Sequence, residues 1–400
     1  MRILLHDYGG YHFSFELGKA LSQRSYEVMY LYTDSCGRPK ERFKPSKTES
    51  LCIMNVNGDY VQKDKFFIRY KQELDYGTEA VKILSEWSPD LVISANTPLL
   101  AQIKIIKWAK SKNIPFVFWM QDILSVAVRA ILRERLGSIG FPVYLYFNWL
   151  ERNALLDSSN IVVISEDFAS ILEKWGIKKE NVTVISNWAP IEEINVIEKV
   201  NDFSLKHDIA NKFVVLYSGT MGMKHDPDKI LAISEGLSYD KDIVLLIISE
   251  GVCVEYLRKS ALDKGLGNLV ILPFQPYDVY SQTLASADVL LDILKPSASI
   301  YSVPSRVWSG FCAGRPSILV MPKTNLVARI AENIGAGFVV SDNSVEQIID
   351  RIRWMKSNPY DCVRMGQNAR TYAEKYFCLD KIVDRFEVVF EKAFKRQNLI

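Results

Sequence analysis

In the stretch Phe213-Val214-Val215-Leu216-Tyr217-Ser218-Gly219-Thr220-Met221-Gly222-Met223-Lys224-His225-Asp226-Pro227, an apolar run gives way to two glycines, a lysine and a proline. A nearly continuous apolar run of this length reads as a strand buried on both faces of a parallel sheet. Gly219 and Gly222 allow the backbone to approach a ligand closely, and Pro227 suits the first turn of a following helix. Lys224 falls between turn and helix. There its ammonium either meets a diphosphate or stays solvated in an ordinary strand-to-helix turn, with Asp226 close enough in sequence to neutralise it in part.

The same alternation recurs along the chain. Strands are predicted at Arg2–His6, Glu27–Thr33, Asp90–Asn96, Pro115–Gln121, Asn160–Glu166 and Val182–Trp188 in the first half. The second half gives Phe213–Gly219, Ile243–Glu250, Leu269–Gln275, Asp288–Leu294, Pro316–Met321 and Gly337–Asp342. Helical periodicity fills the segments between them. The pattern predicts an α/β chain of two Rossmann-like domains in series, residues 1–190 and 191–378, with the break near Ala189–Glu193. A last helix over Leu379–Arg396 carries a stripe of Ile382, Val383, Phe386, Val389, Phe390 and Phe394, and is expected to cross back and complete the first domain with residues 379–400. Ligands of open parallel sheets sit beyond the carboxyl ends of the strands, so two such sheets are expected to face each other across a cleft that holds the site.

Composition narrows the classes. The chain has 400 residues, enough for two cores, and 49 Lys+Arg against 47 Asp+Glu leave a net charge of +2, which demands no nucleic-acid partner. Six scattered cysteines (Cys36, Cys52, Cys253, Cys312, Cys362, Cys378) with no CxxC pair, and only four histidines, give no zinc framework and fit reduced thiols of the cytoplasm. The apolar start Met1–Leu5 meets His6-Asp7 too early for a signal peptide, and no run approaches the roughly 18 apolar residues of a membrane span.

A second motif is Tyr301-Ser302-Val303-Pro304-Ser305-Arg306-Val307-Trp308-Ser309-Gly310-Phe311-Cys312-Ala313-Gly314-Arg315-Pro316. Pro304-Ser305 reads as a helix start and Gly314 as its end. A cation in the first turn is disfavoured by the helix dipole, so Arg306 there points to an anion, best a phosphate, that neutralises both. The alternative is an exposed arginine on a short amphipathic helix.

Taken with Leu272-Pro273-Phe274-Gln275-Pro276 and Ala287-Asp288-Val289, these motifs resemble, in order and spacing, the GT-B glycosyltransferases. More narrowly they resemble the large retaining family four, in the branch of bacterial fucosamine-type transferases of O-antigen and colanic-acid assembly. The likeness covers most of residues 213–345 and, loosely, the whole chain. It implies that residues 191–378 bind a nucleotide-sugar donor. Lys224 and Arg306 would hold its diphosphate, with Gly219, Thr220, Pro304 and Ser305 beside it. Pro273 and Phe274 would take the base, Ser299, Ile300 and Tyr301 the sugar and phosphate, and Ser309 the ribose. Many members carry two glutamates eight positions apart; aligned on Ala313-Gly314, those places hold Tyr301 and Ser309.

The resemblance gives the first domain the acceptor, a lipid-linked or glycan chain of surface polysaccharide. His6-Asp7-Tyr8-Gly9-Gly10-Tyr11-His12 lies between strand and helix and is no dinucleotide fingerprint, since GxGxxG is absent. Gly10 would lie by the donor sugar, Tyr11 and His12 by the acceptor; a solvated loop histidine is the plainer alternative. Gln121-Asp122 ends the fourth strand, so the Asp122 carboxylate either meets sugar or acceptor hydroxyls, beside Gln121, or caps the helix that starts near Ile123. Catalysis would rest on Asp122, Lys224 and Arg306. No metal or cofactor is expected: two cations replace magnesium, and Asp240-Lys241-Asp242 has DxD spacing but precedes a strand as a surface turn does. The rivals are a GT-B sugar epimerase, which needs catalytic carboxylates that are scarce here, and a catalytically silent GT-B scaffold.

Residues 101–152 hold eight Lys/Arg (Lys104, Lys107, Lys110, Lys112, Arg129, Arg133, Arg135, Arg152) against three acids, around the run Phe141–Leu150. With the basic segment Gly37–Lys47, this reads as a peripheral contact with anionic lipid at the inner face of the cytoplasmic membrane. In the alternative, Tyr144, Phe147 and Leu150 face the core and leave only a charged rim.

Overall fold

The computed structural model describes residues 1–34, 45–56, 66–342 and 344–397. Cys36 and most of the basic segment 37–47 lie outside them. The chain divides into two units, Met1–Asn187 with Leu379–Ile400, and Trp188–Cys378. The division thus falls at Asn187–Trp188, against the break expected near Ala189–Glu193.

The first unit is built on an eight-stranded sheet of β1 (Arg2–Asp7), β2 (Glu27–Tyr32), β3 (Ser46–Lys47), β4 (Leu51–Asn55), β5 (Leu91–Ala95), β6 (Phe116–Met120), β7 (Asn160–Val163) and β8 (Val182–Val184), in the order β3-β4-β2-β1-β5-β6-β7-β8. Every pairing is parallel except β3 with β4. β5 and β6 are buried at every position, which is why they read as unbroken apolar runs. β3 and β4 were not expected from the sequence. Only Ile53 of β4 is buried, because the two-residue β3 at the sheet edge covers little of it and leaves a weak apolar signature. Helices α1 (His12–Gln23), α2 (Phe66–Trp87), α3 (Leu99–Ser111), α4 (Leu124–Leu136), α5 (Phe141–Leu156) and α6 (Glu166–Lys174) connect the strands.

The second unit holds α7 (Asp202–Lys206), β9 (Phe213–Ser218), α8 (Pro227–Gly236), β10 (Ile243–Ile248), α9 (Val252–Asp263), β11 (Leu269–Leu272), α10 (Tyr280–Ala285), β12 (Val289–Ile293), α11 (Arg306–Cys312), β13 (Ser317–Val320), α12 (Leu326–Ile334), β14 (Gly337–Val340), α13 (Val345–Ser357) and α14 (Pro359–Tyr376). Its all-parallel sheet runs β11-β10-β9-β12-β13-β14. The strand order reverses between β9 and β12, so the loops after these two strands meet at the switch point where such sheets bind ligands. Val289, Leu291 and Ile293 of β12 enter the core with Ile230 of α8, Leu257 of α9 and Ile348 of α13. Leu290 and Asp292 alternate onto the other face, against α11. Gly310 permits that approach: a Cβ there would stand 2.1 Å from Leu290 Cδ1.

The chain closes with α15 (Leu379–Gln397), which packs in the first unit as the stripe predicted. Phe386 meets Trp119 edge-on at 4.8 Å, and Arg24 on the rim pairs with Asp384 at 2.5 Å and Glu387 at 3.0 Å. Phe394 is half-buried, and Ala393 takes the last core position instead.

Candidate functional site

At the switch point of the second unit, a short 3-10 turn, Met223–His225, follows β9 and carries Lys224. Its ammonium donates to Ser302 Oγ at 3.0 Å, which joins the loop after β9 to the loop after β12. The two loops also pair through their backbones, Lys295 N to Lys224 O at 2.9 Å. Asn325, which caps α12, donates to Ser299 O and Oγ at 3.2 and 3.0 Å and to Ser302 O at 3.1 Å. Residues 299–302 are therefore pinned from two sides.

Arg306 comes to the same place from the first turn of α11, yet it is not the exposed cation of the alternative reading. Its side chain is 17% exposed; Nε stands 3.0 Å from Asp292 Oδ2, and the guanidinium lies over the Tyr217 ring at 4.4 Å. Asp292 is buried, and burial pushes its carboxyl up to about 6 even though Arg306 and Lys224 pull it down. Burial, together with Arg306 and Lys224, holds His225 far below the usual imidazole range, so it is neutral; its Nδ1 accepts from Gly222 N at 2.9 Å. Gly219 has φ 141, and a Cβ there would stand 3.3 Å from Arg306 Nη1. Thr220 is exposed beside it, with its carbonyl accepting from the Tyr217 hydroxyl at 3.2 Å. The arrangement sets two cations, a neutral imidazole and a glycine turn around one point at the carboxyl end of the sheet. That chemistry suits an anion.

The remaining predicted residues of this unit differ in accessibility. Pro273 is exposed and Phe274 half-buried, with Phe274 N 3.4 Å from Glu250 Oε1. Ile300 is exposed, whereas Tyr301 and Pro304 are buried. Ser305 precedes α11 with no side-chain capping bond. Ser309 is half-buried near Tyr280, whose hydroxyl burial pushes up. The sequence reading missed Asp292, Tyr217, Ser302 and Asn325. Asp292 had a signal: it is the one acid inside an apolar strand, and a buried acid calls for a cation.

In the first unit, β1 ends on two buried polar residues. His6 bonds Ser94 Oγ through Nδ1 at 2.8 Å and the Tyr76 hydroxyl through Nε2 at 2.7 Å; burial lowers it to about 3, so it is uncharged. Asp7 organises the turn that follows. Its carboxylate accepts from Gly9 N at 3.0 Å, Tyr11 N at 3.1 Å and Asn96 Nδ2 at 3.2 Å, and from Ser14 Oγ. Gly10, with φ 60, turns the chain so that Tyr11 precedes α1 and His12 opens it. Gln121, after β6, is buried and accepts from Asn187 Nδ2.

Asp122 does not cap the next helix. Glu151, from α5, takes the amides of Leu124 and Ser125 at 2.9 and 2.8 Å, and Asp122 is left exposed. Burial raises the Glu151 carboxyl while its bonds from Ser125 and Leu124 pull it back. A residue 27 positions from Leu124 thus does what the local sequence offered to Asp122.

The hairpin of α4 and α5 exposes an apolar face. Phe141 and Tyr146 are each 50% exposed and Trp149 is 59% exposed, with Val143, Leu145 and Ile139 also open. Tyr144, Phe147 and Leu150 are half-buried rather than core. The basic rim is thinner than the count of eight: Lys104 donates to Leu74 O and Thr78, Lys110 pairs with Asp157, and Arg152 Nε donates to Trp175 O. Arg129 lies over Tyr144 at 5.2 Å, and Lys107, Lys112 and Arg133 are exposed. Among the described residues no helix is long and apolar enough to cross a membrane, and no three His, Cys, Asp or Glu gather as a metal site. Asp240 binds Arg353 Nη2 at 2.8 Å, as part of a surface turn.

Two family models match the chain in tandem: "Glycosyltransferase Family 4" over residues 9–193 and "Glycosyl transferases group 1" over residues 201–372. The chain belongs to the GT-B glycosyltransferases. The transferase is 24% identical over 304 residues to the putative colanic acid biosynthesis glycosyl transferase WcaI of Escherichia coli (strain K12), covering 75% of this chain and 73% of that protein. Its fold matches a sucrose-phosphate synthase of Thermosynechococcus elongatus at TM-score 0.77 and 12% identity, over 99% of each chain. It matches Anabaena HepE, solved in complex with UDP-glucose, at TM-score 0.70 and 14% identity, over 98% of this chain and 99% of that one. It is also 24% identical over 301 residues to the probable glycosyltransferase WbjE of Pseudomonas aeruginosa, covering 73% of each chain.

Proposed function

We propose that the transferase moves a sugar from a nucleoside-diphosphate donor, held by the second unit, to a lipid-linked or oligosaccharide acceptor taken by the first, with retention of configuration. The observation that carries this is the pairing of Lys224 and Arg306 at the β9/β12 switch point. A site of that charge suits a diphosphate, and the UDP-glucose bound by a protein of the same fold supports the same reading. No metal is needed in it.

In the reaction, the acceptor oxygen bonds the anomeric carbon as the carbon–oxygen bond to the diphosphate breaks. The acceptor proton passes to the departing diphosphate on the same face. The protein neutralises the leaving group through Lys224 and Arg306 and orients the acceptor through Asp122, Gln121, Tyr11 and His12. A thermal-shift panel of UDP, GDP, dTDP, CMP and their sugars tests the donor. Ligand at about 100 times its dissociation constant adds about 2.7 kcal/mol, so one nucleoside diphosphate is expected to stand out. No shift from any of them would end the donor reading.

A lipid-linked acceptor would be met at the inner face of the cytoplasmic membrane, with Phe141, Tyr146 and Trp149 entering the interface and Arg133, Lys107 and Lys112 meeting anionic headgroups. The protein is expected to sediment with vesicles containing phosphatidylglycerol at moderate salt. Replacing Phe141 and Trp149 together by Ser should weaken that binding about tenfold or more. Equal binding by the variant would remove the helix from the contact.

A further inference from the structure

Arg306 is the cation most deeply set in the site, and a carboxylate stands behind it. Asp292 comes from β12, on the face that α11 covers, and its Oδ2 is 3.0 Å from Arg306 Nε. The pair is not fully satisfied: neither oxygen of Asp292, nor Arg306 Nη1, has a hydrogen-bond partner among the described residues, so the 3.0 Å contact is an ion pair without hydrogen-bond geometry. A cavity of about 20 Å³ lies against it, lined by Ser218, Tyr280, Asp292, Arg306 and Ser317 among others. Nothing in catalysis as drawn above needs a buried acid here, and an acid beside a phosphate site lowers that site's positive potential. Its presence at that cost calls for an account.

We propose that Asp292 is a positioning residue that holds the Arg306 guanidinium back against β12, so that Arg306 is shared between this carboxylate and the incoming diphosphate rather than given wholly to the anion. The proposal rests on the reading of Lys224 and Arg306 as the diphosphate cations. It gives the site a moderated grip. An arginine with no counter-charge holds a diphosphate product tightly, whereas one with a built-in competitor lets it leave. The groups facing Asp292 are Arg306 from α11, Lys224 and His225 from the turn after β9, Tyr217 from β9 and, through Arg306, Tyr280 from α10. Burial pushes Tyr217 up to about 12 and also raises Tyr280, and His225 stays neutral, so none of these three changes charge between pH 5 and 8. Asp292 does, at about 6.

The test is the affinity for inorganic diphosphate, by calorimetry, of the wild type, D292N, R306Q and the double variant. Asn has the volume of Asp and the cavity borders it, so D292N is expected to fold; its circular dichroism and melting confirm that first. At pH 8, D292N should bind diphosphate about tenfold more tightly than the wild type, because Arg306 no longer shares its charge with a carboxylate. By pH 5, where Asp292 is protonated in the wild type, the two proteins should agree within about twofold. Taking their ratio at each pH cancels the titration of diphosphate itself. In the R306Q background, adding D292N should leave a smaller change, since the competitor has nothing to hold. A D292N affinity equal to the wild type at pH 8, or a ratio that does not change with pH, overturns the positioning role while R306Q still binds weakly. If R306Q itself binds diphosphate like the wild type, the diphosphate reading fails and this proposal falls with it. Loss of folding in D292N is answered by D292S, whose smaller side chain also removes the charge and is held to the same ratio.

Discussion

Replacing Lys224 by alanine is expected to lower kcat/KM for sugar transfer by about 100- to 1,000-fold, which is what removing one preorganised charge from a developing anion costs. The fold should not feel it. The side chain is half-buried and makes one hydrogen bond, to Ser302, so the melting temperature should move by no more than about 2 °C. Affinity for the nucleoside diphosphate should fall as well, since that anion is the product as well as part of the donor. Lys224→Arg keeps a charge but changes its shape and reach, and should restore only part of the rate. The measurement is steady-state transfer with the donor that the thermal panel selects. A Lys224→Ala enzyme within about threefold of the wild type would falsify the leaving-group role.

Asp7→Ala should act through structure. Its buried carboxylate takes bonds from Gly9 N, Tyr11 N, Asn96 Nδ2 and Ser14 Oγ; its removal strands the first three, while Ser14 Oγ keeps Tyr11 O at 2.8 Å. Each bond to a buried charged acceptor contributes about 1.5–3 kcal/mol, and partial rescue by water leaves a loss of about 3–6 kcal/mol. That is a large share of a typical domain's stability and should lower the melting midpoint of the first unit by roughly 10 °C. Asp7→Asn should fall between, because its amide keeps an acceptor but turns two hydrogens on neighbouring donors. Transfer by both variants, assayed below their melting range, should show raised KM for acceptor, as the turn bearing Tyr11 and His12 loosens. Melting and acceptor KM both unchanged in Asp7→Ala would mean that the turn holds its shape without the carboxylate.

These two predictions divide along the line between what sequence shows and what packing adds. Lys224 was legible from its place after an apolar strand and two glycines. Asp7 was visible only as part of a polar string, and nothing local says that four donors converge on it. The same holds for Asp122 and Glu151. The sequence around residue 122 offered a capping carboxylate in the right register, but α5 brings Glu151 to the amides of Leu124 and Ser125 and frees Asp122. Local pattern proposes a partner; tertiary packing selects one.

By itself the sequence determined the two parallel sheets, all six strands of the second, and the return of α15 to the first unit. Those follow from periodicity and apolar length, which act within a window of a few residues and survive any arrangement of the rest. It placed Lys224 after a strand and Arg306 in the first turn of a helix for the same reason. The tertiary structure alone decided that Arg306 would be paired with Asp292 and stacked on Tyr217, that Asn325 would hold Ser299 and Ser302, and that β3 and β4 would extend the first sheet at its edge. The physical reason is common to all of them. A buried charge or hydroxyl is held by whatever group another element brings within about 3 Å, and that group is set by how the elements pack rather than by its neighbours in the chain.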